Sequence, residues 1–141
     1  MRRYLLDTAP LTALLHARPR AVELIRPWML SHEAATSILV YAESIEYLKR
    51  FPDFSRRQES LRILLREVSP YFITYPILDR YADIRRQLRP PHGPGLVGDI
   101  DTLIAATALE RNLTVVTVDE DFRRVPGLDV ILIPREDLRR N

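Results

Sequence analysis

Asp7, Glu43, Asp101 and Asp119 are the side chains of this chain whose type and setting suit chemistry. Gly98-Asp99-Ile100-Asp101 opens a segment that runs through Thr102 to Thr107 without a charge. Ionised carboxylates are rarely placed beside buried apolar segments unless a partner balances them. The β-branched run from Leu113 to Thr117 ends in Asp119 and Asp121, and Tyr4-Leu5-Leu6 runs into Asp7-Thr8. Glu43 lies inside the largely apolar stretch from Ile38 to Leu48. Each acid has a bland explanation of its own. Asp7 and Asp99 suit helix N-caps, Asp101 the positive end of its helix, Asp119 a turn closed through its own backbone, and Glu43 a solvated face shared with Glu46. Taken together these explanations weaken, because clustered carboxylates raise one another's pKa unless a cation intervenes. Mg²⁺ or Mn²⁺ bound by oxygen ligands would supply that cation. The chemistry implied is metal-assisted phosphodiester hydrolysis with water as the nucleophile, which needs no reactive Ser, Cys or His.

The elements that must position these acids follow from periodicity and punctuation. Residues 3–6 read as a buried strand, followed by a helix over 9–17 capped by Asp7 or Thr8 with Pro10 in its first turn. A helix over 20–29 and a strand over 34–37 come next. A helix over 38–50 then sets Ile38, Ala42, Ile45 and Leu48 on one face. Ser55 and Gln58 have the spacing of a capping box, with Leu61, Leu64, Leu65 and Val68 at helical period behind them. Tyr71 to Tyr75 reads as a third strand, and Pro76 starts a helix carrying Ile77, Tyr81, Ile84 and Leu88. The run Pro90 to Gly95 is a loop. Beyond it come a helix over 99–111, a strand over 113–117, a turn or short helix from Asp119 to Arg124, a strand over 129–133 and a short helix opened by Pro134. Strands alternating with helices imply a five-stranded parallel α/β sheet covered on both faces. Ligands of such sheets gather at the carboxyl ends of the strands. If the first and fourth strands are neighbours, Asp7 and Asp119 converge.

Composition bounds the remainder. The 141 residues suit one domain over 1–141, and 46% hydrophobic with 28% charged residues is ordinary for a soluble globular protein. No apolar run approaches a membrane span, and the apolar start is too short for a secretory leader, so a cytoplasmic protein is expected. The absence of cysteine excludes disulfides, thiolate catalysis and Cys-based zinc sites. The net charge is only +2, and Lys49 is the sole lysine. Arg85, Arg86 and Arg89 are weak candidates for phosphate contact, a solvated helix face being the simpler reading. His16 and His32 are assigned to helix ends, and His92 to the loop. Tyr4, Tyr41, Tyr47, Phe51, Tyr71, Phe72 and Tyr75 are read as packing.

These motifs together resemble the PIN-domain family, specifically VapC-type toxins of toxin–antitoxin pairs, over essentially the full length. Tyr4-Leu5-Leu6-Asp7-Thr8 is similar to the family's opening strand and first acid. Ser37-Ile38-Leu39-Val40-Tyr41-Ala42-Glu43 is similar to its second motif, and Asp101-Thr102-Leu103-Ile104-Ala105-Ala106 to its third. Val116-Thr117-Val118-Asp119-Glu120-Asp121-Phe122, with Val125-Pro126-Gly127-Leu128 after it, is similar to the fourth. The resemblance implies a three-layer α/β/α fold and a Mg²⁺- or Mn²⁺-dependent endoribonuclease acting on tRNA or rRNA. It also implies a homodimer, or a larger assembly, neutralised by a VapB-like antitoxin. Asp7 and Asp101 are assigned to the principal metal, and Glu43 and Asp119 to waters or a second ion, with Thr8 and Thr117 in support. Asp121 is the alternative fourth acid, and Asp99 is an extra acid with an outer-shell or capping role. Ser44 stands where the family usually has leucine. A non-catalytic RNA-binding relative and a DNA-directed nuclease on the same fold are the alternatives. A phospho-receiver would need a lysine after its last strand, and a dehalogenase-type phosphatase a second acid two residues after Asp7. Neither is present.

Overall fold

The computed structural model describes all 141 residues. Five short parallel strands form one sheet: β1 (Tyr4–Leu6), β2 (Ala34–Ser37), β3 (Ser69–Tyr71), β4 (Thr114–Thr117) and β5 (Val130–Leu132). Their spatial order is β3-β2-β1-β4-β5. Leu5 and Leu6 of β1 and Val115 and Val116 of β4 are fully buried, as expected of central strands covered on both sides. The helices that cover the faces are α1 (Thr8–Leu15), α2 (Pro19–Leu30), α3 (Ile38–Leu48), α4 (Phe54–Glu67), α5 (Tyr75–Leu88) and α6 (Asp99–Arg111). α1 packs against α2, α3 and α4, while α5 and α6 pack on each other. Single 3₁₀ turns span Glu120–Arg124 and Arg135–Leu138. The three-layer α/β/α arrangement expected from the sequence is therefore the one observed. No helix is long and apolar enough to cross a membrane.

The order of the strands decides where the site lies. The chain builds outward from β1 through β2 to β3, then returns to the other flank of β1 to lay down β4 and β5. The reversal leaves a crevice between the carboxyl ends of β1 and β4, where open parallel sheets bind ligands. Tyr4, Leu5 and Leu6 pair with Thr114, Val115 and Val116, and the Asp7 amide donates to the Val116 carbonyl at 2.9 Å. Asp7 is thus held by the ladder itself at the mouth of the crevice.

Several elements depart from the sequence reading for local reasons. The first helix ends at Leu15, because Ala17 takes a left-handed φ of 54° and the Arg18 amide closes back onto the Ala13 carbonyl. The capping box at Ser55 and Gln58 does not form. α4 begins at Phe54 with Asp53 at its N-cap, Arg57 occupies the Asp53 carboxylate at 2.7 Å, and the Gln58 amide reaches the Tyr41 hydroxyl. The third strand is Ser69–Tyr71, not 71–75. Pro76 sits in the first turn of α5, which starts at Tyr75, and Phe72 and Tyr75 are exposed rather than packed. The buried stripe of α3 is Val40, Ser44 and Leu48, an i, i+4, i+8 row, while Ala42 is exposed. Ser44 takes up that stripe with a buried Oγ that has no hydrogen-bond partner. Tyr4 packs as expected, stacked on Trp28 with centroids 3.9 Å apart.

Candidate active site

The four principal acids come from four different elements. Asp7 follows β1 and is the N-cap residue of α1, with extended backbone and no side-chain capping bond. Its carboxylate is therefore free of capping duty. Glu43 projects from α3, which follows β2 without a break and whose Ser37 N-cap accepts from the Leu39 amide at 3.1 Å. Asp101 lies in the first turn of α6, where the helix dipole favours a negative charge. Asp119 follows β4.

Two threonines tie these acids together. Thr117 Oγ1 donates to Asp7 Oδ2 at 2.7 Å and accepts from the Asp119 amide at 3.1 Å. A single buried hydroxyl thus fixes the first acid and the turn that carries the fourth. Thr8 Oγ1 donates to Glu43 Oε1 at 2.7 Å, linking α1 to α3 across the crevice mouth. The turn reading of Asp119 also holds, since its Oδ1 accepts from the Asp121 amide at 2.9 Å. Replacing Thr117 by Val keeps the shape but strips Asp7 of its donor and Asp119 of its amide acceptor. The expected loss of stability is about 1–3 kcal/mol, from buried groups left unpaired. Any activity or metal affinity carried by these acids should fall about 10–100-fold, as for outer-shell partners of metal ligands. Thr117→Ser should restore most of both. Urea unfolding and titration calorimetry check the two effects separately.

The electrostatics follow from what is missing. Asp7, Glu43, Asp101 and Asp119 form no ion pair with any Arg, Lys or His. Burial, with Asp7, Asp119, Glu43 and Asp121 as like-charged neighbours, pushes the half-buried Asp101 carboxyl up to about 7. Asp7 is also raised, first by burial and further by Glu43 and Asp119, against the opposing pull of the Thr117 hydroxyl and the Thr8 amide. The acids therefore feel one another strongly without a protein cation to neutralise them. No group of three or more His, Cys, Asp or Glu is drawn close enough to enclose a metal ion by itself. The all-oxygen donor set, without His or Cys, suits a hard divalent cation.

The remaining candidates separate from this group. Asp99 is mostly exposed and is not the cap: its Oδ1 accepts from Arg85 at 2.8 Å and from the Tyr81 hydroxyl at 3.1 Å, and Gly98 is the N-cap. Its role is to join α6 to α5. Arg85 is engaged in that pair, while Arg86 on α5 and Arg89 at its C-cap are exposed. Asp121 is exposed and lies 3.7 Å from Arg124. His92 is exposed in the loop before α6.

Residues 4–128 match the family model described as the PIN domain. The chain belongs to the PIN domain family. No curated protein matches its sequence. Among solved structures, the PIN domain chain is similar to VapBC2 from Rickettsia felis, bound to a DNA fragment from its promoter, at 22% identity and a TM-score of 0.79. That match covers 92% of this chain and 98% of the other. It is similar to DNA-bound VapBC from Salmonella typhimurium at 21% identity and a TM-score of 0.81, over 93% and 98%. It is also similar to VapBC-1 from nontypeable Haemophilus influenzae at 22% identity and a TM-score of 0.77, over 92% and 96%. At these identities the likeness concerns the fold.

Proposed function

We propose that this PIN domain chain is a Mg²⁺- or Mn²⁺-dependent endoribonuclease, the toxin of a VapBC-type pair, acting in the cytoplasm on tRNA or rRNA. The observation that carries the reading is the set of four uncompensated carboxylates at the crevice between β1 and β4. Membership of the PIN domain family and the likeness to VapBC complexes support it. Asp7 and Asp101 hold the principal ion in this proposal, and Glu43 and Asp119 complete its surroundings through waters or a second ion. Asp119 is preferred to Asp121 because its turn is anchored to the same Thr117 that holds Asp7, whereas Asp121 is exposed beside Arg124.

A bound divalent ion supplies Lewis-acid stabilisation of the phosphate and an acidified water. The protein's own part is positional. Thr117 orients Asp7, Thr8 orients Glu43, and the first turn of α6 presents Asp101 toward both. Asp101 has to lose its proton before it ligates, so activity rises as pH passes through about 7. A VapB-like antitoxin and a homodimer belong to the same proposal.

The test is incubation of end-labelled total tRNA and rRNA, with single-stranded DNA alongside, in Mn²⁺, Mg²⁺ or EDTA. Discrete RNA cuts that vanish in EDTA are the expected result. Cuts in DNA alone would overturn the RNA assignment, and RNA binding without cuts in any metal would overturn catalysis.

A further inference from the structure

A cleft of about 300 Å³ lies beside the acids, between α1, the end of α3 and the C-terminal 3₁₀ turn. Its walls include His16, Arg18, Tyr47, Val118, Arg135 and Arg139. Val118 is next to Asp119, and a second hollow, lined by Asp119, Glu120 and Asp121 among others, shares Val118 and Arg135 with the cleft. The cleft therefore borders the turn that carries the fourth acid.

Its charge is opposite to that of the crevice. Arg18, Arg135 and Arg139 have no carboxylate partner anywhere in the molecule. Arg18 is bonded only to the neutral Asn141 side chain. His16 adds no charge of its own: burial, then Arg57 and Arg18, hold its pKa below 6.5, and Arg57 Nη1 lies 3.3 Å from its Nε2. Three unpaired guanidiniums around one cleft are arranged for an anion with several oxygens.

We propose that the cleft is the track by which a nucleic-acid strand leaves the acid crevice, with Arg18, Arg135 and Arg139 contacting backbone phosphates beyond the scissile one. The inference rests on the nuclease reading and deepens it. A polyanion seated at uncompensated carboxylates is repelled, and cations on its adjoining segment offset that repulsion. The sequence candidates on α5 suit this role less well, since Arg85 already pairs with Asp99.

The experiment uses fluorescein-labelled 20-nucleotide oligo(U) and the full chain carrying Asp101→Asn, with anisotropy read in EDTA over a series of KCl concentrations. Arg135→Gln/Arg139→Gln is the test pair, since both side chains are exposed and the fold does not lean on them. Arg26→Gln/Arg66→Gln, exposed on α2 and α4 and without an acid partner, is the charge-matched control. The test pair should weaken binding about tenfold and lower the salt slope by about 1.4, at about 0.7 per single-strand phosphate contact. The control pair should leave both unchanged. In the nuclease itself the test pair should raise KM and spare kcat. Equal losses in both pairs, or none in the test pair, would overturn the track while leaving the nuclease reading intact if metal-dependent cleavage persists. If the parent binds neither oligo(U) nor total tRNA, the track falls, and the nuclease reading falls with it only if the wild type also leaves tRNA and rRNA uncut in Mg²⁺ and Mn²⁺. Retained RNA binding with loss of the co-expressed antitoxin would assign the cleft to an acidic peptide and likewise overturn the proposal.

Discussion

Asp101→Asn is expected to abolish metal-dependent RNA cleavage, by a factor on the order of 10³ or more, while leaving the fold intact. The reason is geometric and electrostatic at once. Asp101 is the acid on which the like charges of Asp7, Asp119, Glu43 and Asp121 converge, so it is where a cation would gain most. An amide of the same shape keeps the first turn of α6 and its packing but cannot replace the ligating charge. Asp99→Asn, two residues away, should leave cleavage near the wild-type level, because Asp99 is spent on Arg85 and Tyr81. The contrast between the two neighbours tests the site rather than the helix. Cleavage of end-labelled tRNA at matched stability measures it, and activity retained in Asp101→Asn would place the chemistry elsewhere.

What the sequence made legible was the set of acids and the elements that carry them. The helix over Asp99–Arg111 is observed at the expected residues, because Gly98 and the long uncharged run bound it clearly. The central strands were marked by Leu5-Leu6 and Val115-Val116. That β1 and β4 would be neighbours was only a condition in the sequence, since strand order depends on pairings remote along the chain. The role of Asp99 was hidden for the same reason: its partners, Arg85 and Tyr81, lie on another helix. The strand expected at 71–75 illustrates the opposite failure. An aromatic, β-branched run looked like a buried strand, but the turn into Pro76 claimed its second half and left Phe72 and Tyr75 exposed. The basic cleft left no sequence signal either, because Arg18, Arg135 and Arg139 stand at opposite ends of the chain. Only folding brings them to one cleft, together with His16.

In EDTA the protein should become less stable as pH rises from about 5 to 8, and added Mg²⁺ or Mn²⁺ should reverse that trend. Asp101 carries a folded-state pKa of about 7 against 3.8 unfolded, and Asp7 is shifted in the same direction. Between those values the folded state binds more protons than the unfolded chain, so stability falls with rising pH. The contribution of the neutral acid is complete below 3.8 and is lost as pH climbs through about 7. Metal binding requires the deprotonated carboxylates, so ion and proton compete, and stabilisation by the ion grows as pH rises. Thermal melting from pH 5 to 8.5, with and without the ion, reads this out at about 3–4 °C per kcal/mol for a domain of this size. His16 works against the trend at the acid end, since a lowered histidine makes the folded state bind fewer protons than the unfolded one. The decisive comparison is therefore with Asp101→Asn over the same range, where His16 is unchanged and cancels. The variant should melt higher than wild type in EDTA at pH 8, the gap should close toward pH 5, and the ion should raise its melting temperature far less. Parallel curves for the two proteins in EDTA would mean that Asp101 is not the carboxyl on which the repulsion converges.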